Sequence, residues 1–366
     1  MSEVPTYFSN FLGRIRLSVS EQAELKSAHT NLTTKIQEDP HLKDLIIGTF
    51  LQGSYKRSTI VKPANGKRSD VDVVVVTKIG PDVTPKKALE HFVPFVRKHY
   101  KDNYEPQSRS IGIVDGNVDL DLVITSAPSE AQVGLIKAFS IETNDSLEEF
   151  TSIRLSKGER RNDAYNDFLE PLLKSWKDDP LQIPDRDANK WEPTHPIAQI
   201  KWTTEKNKAC NDHYINVVKA IKWWHRQQKD LPKYPKGYPV EHMIGHCCPD
   251  GITSIAQGVT LTLENFEKVF LTNFQSGTPP YLKDHGVNQN VLHRMEYPDF
   301  KKFYERVREA NKIARRALDA AGVEESVNLW RSLFGSEFDP EPEDSEKKGG
   351  FVPPIRSSDP VGGRFG

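Results

Sequence analysis

The apolar positions of this chain change their period about halfway along it. In the first part, short β-branched runs predict strands: Leu-Ile-Ile-Gly-Thr-Phe-Leu over 45–51, Asp-Val-Asp-Val-Val-Val-Val at the start of 70–78, and a pair over 107–114 and 117–125. Asp115-Gly116 between that pair is a turn dipeptide, so it predicts a hairpin. Helices are predicted around these strands. Ser18 stands three residues before Glu21, a capping-box spacing that starts a helix over 19–38, and Pro40 interrupts the pattern beyond it. Thr84-Pro85 opens another helix to about Tyr100, with a kink at Pro94. From Thr194-His195-Pro196 onward the period lengthens. Ile215, Val218, Ile221 and Trp224 recur every third residue, predicting a helix over 210–229, and further helices follow over 240–247, 259–274 and 298–334. The stretch 126–195, rich in charge and proline, predicts irregular connections plus one helix near 160–176. After Gly335 the composition collapses to acidic, proline-bearing and glycine-rich sequence, so 336–366 is expected to be a disordered tail.

A chain of 366 residues exceeds one small domain, and the change of period divides it into two lobes and a tail. The fold class is α/β: a mixed-sheet lobe over 1–180 with an N-terminal helix, a mostly helical lobe over 181–335, and the tail over 336–366. Lys+Arg 50 against Asp+Glu 51 leaves a net charge of -1, which gives no support to a duplex-binding protein or an obligatory nucleic-acid partner. Three cysteines, two of them adjacent at Cys247 and Cys248, exclude a disulfide framework. No apolar run approaches a membrane span and the N-terminus has no signal-peptide pattern, so the expected location is cytoplasmic with no membrane partner.

The chemistry concentrates in Gly53-Ser54-Tyr55-Lys56-Arg57-Ser58-Thr59 and the strand that follows it. Asp70 and Asp72 are two apart on a valine-rich strand, so both side chains face the same way, roughly 7 Å apart along it. Carboxylates facing a buried sheet need partners, and a divalent cation is the natural one. Asp119 and Asp121, in Val-Asp-Leu-Asp-Leu-Val-Ile over 118–124, also share a face, and a third carboxylate from there completes an oxygen cluster for two ions. The Gly-Ser turn brings backbone and hydroxyl close to phosphate. Together these features read as a nucleotide site.

Gly-Ser, Asp-x-Asp, a later Asp and a helical lobe together resemble the nucleotidyltransferase superfamily. Phe50-Leu51-Gln52-Gly53-Ser54, Glu105-Pro106-Gln107-Ser108-Arg109-Ser110, 217–224 and Tyr234-Pro235-Lys236-Gly237-Tyr238-Pro239-Val240-Glu241 narrow the resemblance. They are similar to the bacterial cGAS/DncV-like nucleotidyltransferases (CD-NTases) of anti-phage CBASS signalling, in what looks like clade D. The resemblance implies a two-lobed nucleotidyltransferase fold with an oligoadenylate-synthetase-like second lobe. It also implies an enzyme joining ribonucleoside triphosphates, ATP among them, into a cyclic di- or trinucleotide second messenger that activates a downstream effector. The family's metal carboxylates carry over to Asp70, Asp72 and Asp121 in preference to Asp119, for two Mg2+ ions or Mn2+ in their place. Ser54 with Gln52 and Gly53 becomes the phosphate turn, Lys222 the triphosphate lysine and Tyr238 the base-stacking tyrosine; Lys56 and Arg57 fall on the acceptor or phosphate side.

Two other readings compete. A template-independent RNA-tailing enzyme would be expected to carry a more basic surface or an RNA-binding appendage. A silent nucleotide- or RNA-binding scaffold would be expected to have lost one of the carboxylates. His246-Cys247-Cys248 resembles part of a zinc site, but only Cys210, distant in sequence, remains to complete it. At the other end, Gly362-Gly363 and Gly366 resemble the C-termini of ubiquitin-like modifiers. The resemblance implies conjugation through Gly366 by a ubiquitin-transfer-like E1/E2 enzyme.

Overall fold

The computed structural model describes residues 2–63, 66–142 and 163–338. Its centre is a five-stranded mixed sheet of β1 (Ile46–Gln52), β2 (Ser69–Thr77), β3 (Tyr104–Pro106), β4 (Ile111–Asp115) and β5 (Val118–Thr125), in the order β1-β2-β5-β4-β3. Strand β2 pairs antiparallel with β1 and parallel with β5, while β4 pairs antiparallel with both β5 and β3.

Alternation along β2 and β5 explains how one sheet carries both a core and a site. Val71, Val73 and Val75 face one layer together with Leu120, Leu122 and Ile124. There they meet Leu25, Leu32 and Ile36 of helix Val19–Glu38 and Phe92, Phe95 and Val96 of the segment following β2. The opposite face of β2 reads Asp70, Asp72, Val74, Val76. Its apolar end is covered by Ile136, Trp176, Ile197 and Ile200. Its acidic end emerges beyond that cover.

Most predicted elements appear close to their expected positions. Helix Val19–Glu38 starts at the Ser18 capping box, with both reciprocal hydrogen bonds formed. The helix expected from Thr84 to Tyr100 is two helices, Pro85–Glu90 and Val93–Tyr100. Pro94, which has no N–H to continue the first helix, lies in the first turn of the second. The run expected over 298–334 likewise divides, into Tyr297–Asp319 and Val323–Phe334, at Ala320-Ala321-Gly322. The stretch expected to be irregular contains a two-stranded ribbon, β6 (Leu181–Asp185) and β7 (Lys190–Thr194), whose signal Pro184 and Pro193 obscured. Helices Pro5–Ile15 and Pro196–Ala209 lay outside the periodicity reading.

The second core is helical. Val217, Val218, Ile221 and Trp224 of helix Tyr214–Gln227 pack with the helices that follow. The N-terminal helix belongs to this core rather than to the sheet. Phe8 meets Trp330 edge-on at 5.0 Å, and Phe11 stacks on Phe334 at 4.7 Å. All three cysteines are buried, and Cys210 and Cys248 bring their sulfurs to 4.0 Å despite their sequence separation. No helix among the described residues is long and apolar enough to cross a membrane. The tail from 339 onward, including Gly366, lies outside the described residues.

Candidate active site

The acidic ends of β2 and β5 meet in register. Asp72 is the Cα partner of Asp121, and Asp70 of Asp119, across the parallel pair. Asp70, Asp72 and Asp121 each bring a carboxylate oxygen into a group within 4.8 Å of one another. Asp70 opens to solvent while Asp72 and Asp121 are half-buried. Asp119 turns to Arg68 instead, at 3.3 Å on the exposed rim.

Crowding carboxylates holds protons on them. Burial in the cleft, then repulsion from Asp72, Asp121 and Asp119, pushes Asp70 up to about 8 even though part of its surface stays wet. Burial, then Asp121, raises Asp72 to about 6, with Arg57 opposing. Burial also raises Asp121, tempered by the Ser110 hydroxyl, which donates to its Oδ1 at 3.3 Å. A trio of oxygen donors that repel one another at neutral pH fits a hard divalent cation.

The turn after β1 closes on this cluster. Gln52 is the Cα partner of Asp72, and the chain then enters the short helix Gly53–Lys56. Gly53 takes φ 73°, and a Cβ there would overlap Asp72 Oδ2, so this position requires glycine on two counts. Ser54 follows at the cleft wall.

The cleft itself holds about 660 Å³ between the two lobes. Gln52, Gly53, Ser54, Arg57, Asp70 and Asp72 line its sheet side; Lys222, Arg226, Tyr238 and Glu241 line its helical side. Lys56 departs from the expectation of a phosphate-side cation: its side chain has no exposed surface and does not line the cleft. The one-turn helix points neighbouring residues in different directions, so Arg57 reaches the cleft and Lys56 turns inward. A second cavity of about 560 Å³, walled by His195, Trp202 and His285, shares no lining residue with the cleft.

Two helical-lobe residues sit at the cleft as parts of larger arrangements. Lys222 donates to Glu241 Oε1 at 2.5 Å and to the Thr59 carbonyl at 2.9 Å. Tyr238, in the first turn of helix Tyr238–Cys247, lies under the Arg57 guanidinium at 5.0 Å and places its hydroxyl 3.2 Å from His242 Nδ1. Sequence reasoning assigned no role to Glu241 or Ser110. A signal for Glu241 was present: it is the one acid among Val240, Met243 and Ile244, three residues beyond Tyr238 on one helix.

Known proteins resemble this chain in sequence and in fold. Residues 1–127 match the Second Messenger Oligonucleotide or Dinucleotide Synthetase domain family. The cyclic AMP-AMP-GMP synthase of Enterobacter hormaechei subsp. hoffmannii is 42% identical, over 99% of this chain and all of that protein. The cyclic AMP-AMP-AMP synthase of an Acinetobacter species is 25% identical over 90% of this chain and 84% of that protein. The fold is similar to that of the Vibrio cholerae DncV cyclic AMP-GMP synthase, a prokaryotic cGAS homologue. The TM-score is 0.64 at 11% identity, covering 92% of this chain and 97% of that one.

Proposed function

From the premise that this chain belongs to the bacterial cGAS/DncV-like nucleotidyltransferases, which make cyclic oligonucleotides from nucleoside triphosphates, we propose that its product is a cyclic trinucleotide of two AMP units and one GMP. The identity to a synthase of that product, spanning both chains from end to end, supports this choice. We further propose that Asp70, Asp72 and Asp121 are the catalytic carboxylates and that the cleft is the single site of every bond-forming step. The observation that carries the site is the carboxylate trio, of which Asp70 and Asp72 line one wall of a cleft whose other wall presents Lys222 and Tyr238.

In this reading a ribose hydroxyl oxygen attacks the α-phosphorus of a nucleoside triphosphate. An O–P bond forms, the bond to the β-phosphate oxygen breaks, and pyrophosphate leaves. Asp121, its carboxyl raised above the usual range, takes the hydroxyl proton. Ser54 and the Gly53 turn cradle phosphate beside it. Lys222 and Arg57 supply positive charge for the triphosphate. Tyr238 offers its ring to a base. Asp70, Asp72 and Asp121 would hold magnesium, which would supply a lowered pKa for the attacking hydroxyl and charge neutralisation for the leaving pyrophosphate. After each addition the linear intermediate reorients in the same cleft until its own hydroxyl closes the ring.

We place the sheet lobe at 1–180 and the helical lobe at 181–335, with helix Pro5–Ile15 attached to the helical core and with Leu181, Ile197 and Ile200 packed back against the sheet. Anti-phage signalling through a cyclic-nucleotide-activated effector, work in the cytoplasm, and conjugation of Gly366 by an E1/E2-type partner complete the proposal. The last rests on sequence alone.

Incubation with ATP, GTP, CTP and UTP in magnesium, followed by mass spectrometry with and without nuclease P1, tests the reading. A cyclic product of two AMP units and one GMP is expected. A different cyclic product corrects the base choice; only linear, lengthening chains would return the RNA-tailing alternative.

A further inference from the structure

Glu241 accepts more side-chain hydrogen bonds than any other carboxylate among the described residues. It lies on helix Tyr238–Cys247 with 4% of its surface exposed. Both of its oxygens are occupied, and by both lobes. From the sheet side Arg57 donates through Nε and Nη2 at 3.2 and 3.1 Å, and the Thr59 hydroxyl donates at 2.8 Å, all to Oε2. From the helical side Lys222 donates to Oε1 at 2.5 Å. Arg57 and Lys222 are themselves buried, 4% and 8% exposed.

Two like charges are thus gathered beside one anion at the wall of a cleft that should receive a triphosphate. Without Glu241 they would repel each other, and a buried unpaired cation is costly. The groups facing this cluster are Arg226 from the same helix as Lys222, Tyr238 from the helix of Glu241, and Asp70 and Asp72 from β2. Burial alone would push the Glu241 carboxyl up, but Lys222 and Arg57 hold it below the usual range, so it stays ionised. The Lys222 ammonium, lowered by burial, is supported chiefly by Glu241.

We propose that Glu241 is a positioning residue for nucleotide binding: by anchoring Lys222 and Arg57 from opposite lobes to one carboxylate, it fixes both cations at the cleft wall where the triphosphate binds. This rests on the reading of the cleft as the nucleotide site. Glu241 touches no substrate itself and acts through the two cations. The opposite role, a placeholder that competes with the triphosphate for those cations, would make nucleotide binding tighter when Glu241 is neutralised.

The test is equilibrium binding of a non-hydrolysable ATP analogue with magnesium to the full-length protein and to Glu241→Gln, Lys222→Met and the double variant. Steady-state product formation is measured on the same samples. Glu241→Gln should weaken analogue binding and raise KM about tenfold or more, with kcat changed less. In the Lys222→Met background the same substitution should add less than its full effect, because part of what it supports is already gone. Thr59→Val, which removes one donor but no charge, should weaken binding in the same direction by a smaller factor, and it decides the matter if Glu241→Gln does not fold. Unchanged or tighter binding in Glu241→Gln, or full additivity with Lys222→Met, would overturn the proposal. Wild-type protein that binds the analogue but makes no cyclic product would sink the functional reading while the binding cycle still judged Glu241.

Discussion

Gly53 and Asp72 are packed so closely that a side chain on the first would displace the carboxylate of the second. The contact follows from the register of β1 on β2, in which Gln52 lies opposite Asp72 and the chain turns immediately afterward. The Gly53 turn and the Asp72 carboxylate are therefore one rigid unit. Gly53→Ala should lose product formation by about a hundredfold or more, since a displacement near 1 Å is enough for that. The positive φ adds about 1 kcal/mol of strain. Retained activity with an unchanged melting temperature would show that the turn tolerates movement.

The three carboxylates should not be equivalent to their neighbour. Asp70→Asn, Asp72→Asn and Asp121→Asn each remove charge from the trio, and each should reduce turnover by about two orders of magnitude or more. Asp119→Asn removes a rim partner of Arg68, an exposed pair worth about 0–1 kcal/mol. Its turnover should stay within about threefold of wild type. A greater loss in Asp119→Asn than in Asp121→Asn, measured by pyrophosphate release, would reverse the assignment.

In metal-free protein the contribution of Asp70 and Asp72 to stability should fall as pH rises. Unfolded Asp has a pKa of 3.8, whereas the folded values are about 8 for Asp70 and about 6 for Asp72. Between these limits the native state holds more protons on these two groups than the unfolded one, so their contribution is fully present below about pH 4 and is lost as pH climbs through about 6 and then about 8, while His225 and His285, lowered to about 4 and about 3, act in the opposite direction below 6.5. Magnesium should reverse this, raising the melting temperature more at pH 8 than at pH 5. The Asp70→Asn/Asp72→Asn double variant should lose most of the magnesium shift and show a smaller withdrawal, the part that belongs to Asp121. Calorimetry in EDTA and in magnesium checks both, and a magnesium shift independent of pH would count against the trio.

Tyr238 is held from one side by Arg57. Tyr238→Ala removes the ring and the surface on which the guanidinium rests, so nucleotide affinity should fall about tenfold, in line with roughly 1–3 kcal/mol for a stacked base. Tyr238→Phe keeps the ring and loses only the contact with His242, so affinity should change by less than about threefold. Titration with the non-hydrolysable analogue distinguishes them; equal losses would place the hydroxyl, rather than the ring, at the nucleotide.

The proposed conjugation of Gly366 can be tested separately from catalysis. Deletion of 361–366 should leave cyclic-nucleotide synthesis in vitro unchanged and abolish covalent adducts in cells that carry an E1/E2-type partner. Adducts that survive the deletion would locate the attachment elsewhere.

Local chemistry made much of this legible in the sequence. The Ser18–Glu21 cap, the valine run after Asp72 and the Asp115-Gly116 turn are short-range signals, and each is realised where its residues place it. Alternation along one strand was enough to put Asp70 and Asp72 on one face. Other features depend on contacts that no local pattern encodes. Asp119 and Asp121 share a face and a sequence environment, and only the lateral position of Arg68 and Ser110 separates the rim residue from the member of the trio. Lys56 and Arg57 are adjacent basic residues, yet the direction of one short helix sends the first inside and the second to the cleft. Glu241 becomes the meeting point of Arg57, Thr59 and Lys222 only when the lobes close on each other. Those partners lie far apart along the chain, and a buried charge reveals its role through the partners it meets in three dimensions.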